Sequence, residues 1–505
     1  MVTFAELRDS QPARLGPAAD AWVQLAQDMS RLERQVVSEL TRPLRTSGWS
    51  GDAATAAFRI CDTVDDEFEL AARQVRNAAA VIRYARVQFV KVQDELRLVL
   101  EAAGRQGLRV DDRGVAQPPD MSAAAVEYAR AATDRIRSIV VRATDLDAEC
   151  SRVLRMFAPH TPGQMEAGEW RDATRDARAA MDLIGMSERD IPRQGTAPQE
   201  AKAWWQSLTD EQRSLYLAAY PDRVGALDGL PTIDRHAANT MALREMANGQ
   251  QRLIGLLDRL EAAEVGPEAQ RLYLLGIDNR GDGQAIVSVG NPDTARHIGV
   301  VVPGMTVTLD DMGGQIERAG NLRQTADDLT PAVEGDVAVV AWLGYDPPDN
   351  VFTAAGTGSA EAGAPLLNRF VDGVHAAHEP GDSHRVVVAH SYGAPVVGIA
   401  ASQGRLDVND IIVAGAPGMQ VPTAAQLNID PARVWAGMAA DDPILLGSGM
   451  VHNTDPHLES FGANRFRVDT HGHSDYWRPD SESLRNQALI LIGAYDRVTR
   501  EAVPR

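Results

Sequence analysis

Between Arg385 and Gly398 the chain runs Arg-Val-Val-Val-Ala-His-Ser-Tyr-Gly-Ala-Pro-Val-Val-Gly. An apolar, β-branched run meets a turn of small residues with a serine at its bend, and a helical segment follows. A turn that sharp between strand and helix forces the serine into a strained backbone region and lifts its hydroxyl clear of the sheet. The residues two before and two after it must therefore be small. Ala389 and Gly393 meet that demand, with alanine where glycine is more usual. Such a serine has chemistry to do only if a sheet lies beneath it and later loops bring a base and a carboxylate to it.

The surrounding segments supply that sheet. Arg271 to Ile277 and Gln284 to Val289 flank Asp278-Asn279-Arg280-Gly281-Asp282-Gly283, a hairpin by its Asp-Gly turn. Short buried runs then alternate with helical segments: His297 to Val302, Val337 to Trp342, Arg385 to Ala389, Asp410 to Ala414, Arg433 to Gly437 and Arg465 to Val468. This is the pattern of a mostly parallel sheet with helices on both faces. With a hairpin in front it is the α/β-hydrolase arrangement, in which the serine follows the fifth strand. The Asp278 to Gly283 loop does not suit calcium, because Arg280 and Val289 stand where oxygen ligands belong.

The first 160 residues are of another kind. Trp22, Leu25, Met29, Leu32, Val36 and Leu40 step by three and four, marking one face of a helix. After the turn Thr46 to Asp52, a longer helix carries Phe58, Cys61, Val64, Phe68, Val75, Ala78, Ile82, Phe89, Val92, Leu96 and Val99. Two such stripes joined by a short turn should pack antiparallel and cover one another. A loop from Gly104 to Asp120 leads to a third helix with Ala132, Ile136, Ile139, Ala143, Leu146, Cys150, Val153 and Phe157 on one face. Cys61 and Cys150, the only cysteines, fall on apolar stripes and read as free buried thiols. The expected layout is a helical domain over 1–160, a connector over 161–198, and a hydrolase domain over 199–505 with a helical lead-in over 199–265.

At 505 residues the chain is long enough for two or three cores. Its formal charge of -20 and lack of a basic cluster exclude nucleic acid as a natural partner. Val81 to Leu100 is too often interrupted by charge to span a bilayer, so no transmembrane segment is expected, and the start carries no conventional signal peptide.

Ser391 needs a base, and the base needs a carboxylate, in the chain order serine, acid, histidine. Met438-Ala439-Ala440-Asp441-Asp442-Pro443-Ile444 offers Asp442 as the acid, preferred over Asp441 for the proline and β-branched residue that follow it. Asp469-Thr470-His471-Gly472-His473-Ser474-Asp475-Tyr476-Trp477, after the last strand, offers His473 over His471 as the base. The developing oxyanion needs two backbone donors: the Tyr392 amide at the helix start, and the Met305 amide in the Pro303-Gly304 turn after the third strand. His452, His457, His471 and His473 lack the tight spacing of a zinc site, so neither metal nor other cofactor is expected.

Several segments between 200 and 495 resemble actinobacterial α/β-hydrolases once catalogued as DUF1023. They are Trp204-Trp205 with Leu208, Leu227-Asp228-Gly229-Leu230-Pro231, Arg235 with Ala238-Asn239, Val302-Pro303-Gly304, Ala341 to Asp346, His390 to Gly393, Phe461-Gly462-Ala463, and Gly472 to Trp477. The resemblance implies a serine hydrolase without naming its substrate; an esterase or lipase acting on a small-molecule or lipid ester is expected, with an amidase as nearest neighbour. Trp342, Tyr345 and Tyr476 are candidates for the substrate pocket. In front, Trp49-Ser50-Gly51 at the helix turn resembles the WXG100 (ESAT-6-like) hairpins. That implies a helical-hairpin protein partner for residues 1–160 and, for some members, export by a type VII system. The export signal of that family, Tyr-x-x-x-Asp/Glu, does not follow here: Gln88 stands four after Tyr84, and Ala132 four after Tyr128. Cytoplasmic residence and export without a cleaved signal both stay open, as does an interaction protein that uses the hydrolase fold as a scaffold.

Overall fold

A computed structural model of the chain describes residues 1–157, 168–247, 250–264, 270–330, 335–379, 381, 383–446 and 451–501. The chain divides into two compact units, one of Met1–Asp190 with Thr209–Tyr220, the other of Ile191–Leu208 with Pro221–Arg505. The expected boundary at residue 160 lies outside the described residues. Within the stretch read as connector, Glu169–Ile184 forms a four-turn helix that buries Trp170, Ala177 and Met181 and belongs to the first unit. The helix Asp210–Ala219, read as hydrolase lead-in, belongs to the first unit as well.

In the first unit, Leu15–Val36 packs along Asp52–Arg105, and Ala123–Leu154 lies against the latter. Gly48 and Gly51 hold positive φ (75° and 100°) at the turn, where a β-carbon would be strained. The loop expected over Gly104 to Asp120 contains a two-residue ribbon, Arg109–Val110 against Ala116–Gln117. One expectation fails here. The stripe from Trp22 to Leu40 is not covered: Trp22, Leu25, Leu32 and Leu40 are 41%, 44%, 47% and 62% exposed, while Ala19 and Ala26 are fully buried. The helix turns its alanine row inward, because small side chains let two helix axes approach closely. Both cysteines are free.

The second unit is built on one eight-stranded sheet. Its strands are β1 (Leu272–Asp278), β2 (Gln284–Val289), β3 (His297–Val302), β4 (Val337–Leu343), β5 (His384–His390), β6 (Asp410–Ala414), β7 (Val434–Gly437) and β8 (Asn464–Arg465). Their spatial order is β1-β2-β4-β3-β5-β6-β7-β8, with β2 antiparallel to both neighbours and every other pairing parallel. Arg280 accepts from the Gly283 amide to close the β1–β2 turn.

Alternation along the strands feeds two cores. Val339, Val386 and Val388 face one core, with Ile316 and Leu322 from Met312–Leu329 and Leu489 from Glu482–Leu491. Val340, Val387 and Ala389 face the other, with Leu367 and Phe370 from Gly358–Ala377 and Val396 and Val397 from Gly393–Gln403. The last strand is shorter than Arg465 to Val468. It pairs with β7 at Asn464 and Arg465 alone, the Phe466 amide reaches Ala436, and from Arg467 the backbone donates instead to Thr499. No helix among the described residues is long and apolar enough to cross a membrane.

Candidate active site

β5 ends at His390, the Gly393–Gln403 helix begins three residues later, and Ser391 between them holds φ of 53°, a left-handed conformation unusual for a residue with a side chain. Gly393 makes the turn possible: a β-carbon there would stand 2.5 Å from the Val302 carbonyl oxygen and 2.9 Å from that of Pro303. Ser391 thus sits at the positive end of a helix, at the carboxyl edge of the central strands.

His473 and Asp442 reach it from two later loops. Ser391 Oγ lies 2.9 Å from His473 Nε2, and His473 Nδ1 lies 2.9 Å from each oxygen of Asp442. The carboxylate fixes the tautomer: Nδ1 carries the proton and donates, so Nε2 is left to accept from the serine hydroxyl. Asp442 is 2% exposed. It also accepts from the Tyr476 hydroxyl at 2.6 Å and the Ile444 amide at 2.9 Å. Burial alone would raise its carboxyl, but the hydrogen bonds from His473, Tyr476 and Ile444 outweigh burial and hold it below the usual carboxylate range. Burial, reinforced by the charge of Asp442, pushes the Tyr476 phenol up, so it stays protonated and donates.

Asp441 and His471, the alternatives one and two residues away, form their own exposed pair at 3.3 Å, and Asp441 also accepts from the Gly472 amide. The remaining histidines of that region are engaged elsewhere. His452 Nδ1 accepts from Gln420, its Nε2 donates to the Ala354 carbonyl, and His457 faces Glu501.

His390 supports His473 from behind. Its Nε2 donates to the His473 carbonyl at 2.7 Å, and its ring lies 4.8 Å from that of His473 and edge-on to Trp477. Burial, with the nearby His473 and Arg318 adding to it, pushes His390 down to about 3, so the ring is neutral.

The turn after β3 presses on the serine: a β-carbon on Gly304 would come within 2.6 Å of the Ser391 β-carbon. Thr306 holds φ of 63° and donates its amide to Pro348, and the Tyr345 hydroxyl donates to the Pro303 carbonyl at 2.8 Å. Among the described residues no hydrogen bond runs from the amides of Met305 or Tyr392. A cavity of ≈ 560 Å³ opens over Ser391, walled by Met305, Val307, Val351 and Ile444, with Gln315 and Arg318 on its polar side. That volume suits a small organic substrate.

Three residues proposed for the pocket from sequence lie elsewhere. Trp342 is buried and borders a separate cavity of ≈ 320 Å³ with Arg235 and Arg369. Tyr345 stacks on Trp342 at 5.9 Å and tethers the turn after β3. Tyr476, fully buried, stands behind Asp442. All three are large aromatics that fill core, and such residues carry no sequence signal that separates wall from core. Beside Ser391 and His473, the cavity is lined by Met305, Val307, Val351 and Ile444 from short connecting segments and by Gln315 and Arg318 on the Met312–Leu329 helix; of these the sequence pointed to Met305 alone, through the Pro303-Gly304 turn.

Residues 278–450 match the model of a family described as alpha/beta hydrolase, a span that includes Ser391 and Asp442 and stops short of His473. Sheet order, serine turn and this match together make the second unit an α/β-hydrolase domain. The chain is 30% identical over 386 residues to the uncharacterized protein Rv2079 of Mycobacterium tuberculosis, covering 62% of this chain and 58% of that protein. It is 32% identical over 185 residues to the uncharacterized protein Mb0988c of Mycobacterium bovis, covering 35% of this chain and 66% of that one. The chain therefore spans under two thirds of the length of these relatives. Among solved structures it is similar to the esterase LipW of Mycobacterium marinum, with 14% identity and a TM-score of 0.28 over 56% of this chain and 94% of that one, too distant to bear on activity.

Proposed function

We propose that the chain is a serine hydrolase that cleaves carboxylic esters through an acyl-enzyme. The observation that carries this reading is the unbroken line from Ser391 Oγ to His473 Nε2 and from His473 Nδ1 to Asp442, with the serine in a strained turn at the floor of a cavity. In this mechanism Ser391 Oγ attacks the ester carbonyl as His473 Nε2 takes its proton. Asp442 stabilises the imidazolium that forms, and the amides of Tyr392 and Met305 receive the oxyanion. The imidazolium then protonates the leaving alcohol. Water, activated by the same nitrogen, releases the acid and restores the serine.

A fluorophosphonate probe tests this directly. One label per chain is expected, together with hydrolysis of a p-nitrophenyl ester faster than of the matching anilide, and Ser391→Ala should abolish both labelling and turnover. Labelling that survives the substitution would refute the assignment of Ser391; no labelling of the unaltered chain would leave the fold as a scaffold.

A further inference from the structure

The polar side of the cavity is built by one helix face. Asp311, Gln315 and Arg318 are spaced by four and three residues at the start of Met312–Leu329, so their side chains share a face, and all three border the cavity that contains Ser391. Asp311 is already employed, since it accepts from both the amide and the hydroxyl of Thr308. Arg318 is not. Among the described residues it forms neither ion pair nor hydrogen bond, and its recorded contact is a guanidinium carbon 5.2 Å from the centre of the Trp477 ring. Trp477, 2% exposed, packs edge-on against His390, which holds the His473 backbone.

A guanidinium taken partly out of water needs a partner, because desolvation costs more than stacking on an aromatic ring returns. Among the described residues Asp311 and Asp475 act on it through space without an ion pair, and burial outweighs them, drawing Arg318 below its usual range. The guanidinium is itself planar, so its donors form a rigid fork, the geometry that receives two oxygens of one oxyacid group. The same cavity is also lined by Met305, Val307, Val351 and Ile444, which are apolar and suit a short carbon chain.

We propose that Arg318 is the specificity-determining residue of this cavity: the ester hydrolysed at Ser391 carries an anionic oxyacid group, carboxylate or phosphate, that the Arg318 fork grips while apolar carbons lie along Met305, Val307, Val351 and Ile444. The proposal rests on the hydrolase reading above, and its test has an arm that does not need turnover.

In the first arm, full-length chain is assayed with p-nitrophenyl hydrogen glutarate and the neutral p-nitrophenyl valerate, whose chains match in length. The acidic ester should have the larger kcat/KM. Arg318→Gln should lower the acidic-to-neutral ratio at least about tenfold, mostly through KM, as loss of a charge-assisted pair requires, and Arg318→Lys should restore part of it. In the second arm, Ser391→Ala chain, which cannot turn over, is titrated calorimetrically with the two esters, then with glutarate and glycerol 3-phosphate. Binding of the acidic ester that Arg318→Gln removes supports the proposal, and the tighter of the two anions identifies the source. A ratio unchanged in both Arg318 variants, or equal binding of acidic and neutral esters to the Ser391→Ala chain, overturns it. If turnover is absent but the anion binds through Arg318, the hydrolase reading fails and the anion site stands.

Discussion

The sheet carries an aspartate, a histidine and a tyrosine hydrogen-bonded together at each end of its central strands, and the two sets differ in what the histidine has left to offer. At the amino end, Asp410 accepts from His384 at 2.9 Å, Tyr495 at 2.7 Å and Trp435 at 3.0 Å, and is fully buried. At the carboxyl end, Asp442 accepts from His473, Tyr476 and the Ile444 amide. The second nitrogen of His384 is taken by the Leu491 carbonyl at 2.8 Å, whereas that of His473 faces a serine hydroxyl beneath a cavity. A buried Asp–His pair is therefore a brace when both ring nitrogens are engaged by the fold, and chemically available when one is kept for a nucleophile.

The sharpest way to break this contrast is at the acids. Asp442→Asn is expected to lower ester turnover by a factor on the order of 10³ to 10⁴, while Asp441→Asn, in the exposed pair, leaves kcat within about twofold; steady-state kinetics on purified folded chains decide, and the reverse ranking would move the acid to Asp441. At the other end the effect should fall on stability. Asp410→Ala strands His384, Tyr495 and Trp435 and should cost about 3 kcal/mol in urea unfolding, with turnover per folded molecule kept. Loss of turnover at unchanged stability would mean that the amino-end set takes part in chemistry.

The smallest effect is one of pH. The unfolded chain takes a proton at His390 near its ordinary 6.5, whereas burial holds the folded group at about 3. Between those values only the unfolded state is protonated, so stability rises with pH and is lost on acidification, by up to about 1.4 kcal/mol per pH unit. His297 at the amino end, pushed down to about 4 by burial and then by His384, acts in the same direction. Urea midpoints measured from pH 7 to 5 should fall for the unaltered chain and fall less steeply for His390→Gln; parallel slopes would show that His390 is protonated inside the fold.

Much of the hydrolase domain is legible in sequence because its signals are local. Val386-Val387-Val388 is a short β-branched run bounded by turn signals, Asp282-Gly283 turns, and Ala389 and Gly393 are small where the serine turn demands it. The loops that bring Asp442 and His473 to it follow from chain order. What stayed hidden depends on which face of an element looks where. Trp22 and Leu25 show helical period but not that the neighbouring row, Ala19 and Ala26, is the one buried. Trp342, Tyr345 and Tyr476 are apolar enough for either core or pocket. Arg318 is one basic residue on a solvent-facing helix until the fold places it beside Ser391.

Gly304 limits where this domain can diversify. A β-carbon on Gly304 would press on the Ser391 β-carbon, and Tyr345 ties the turn from behind, so a side chain at that position must shift either the turn or Ser391. The cavity can be reshaped without that clash at Val351 and Ile444 and along the Arg318 helix face, so those positions are where a directed library should be spent.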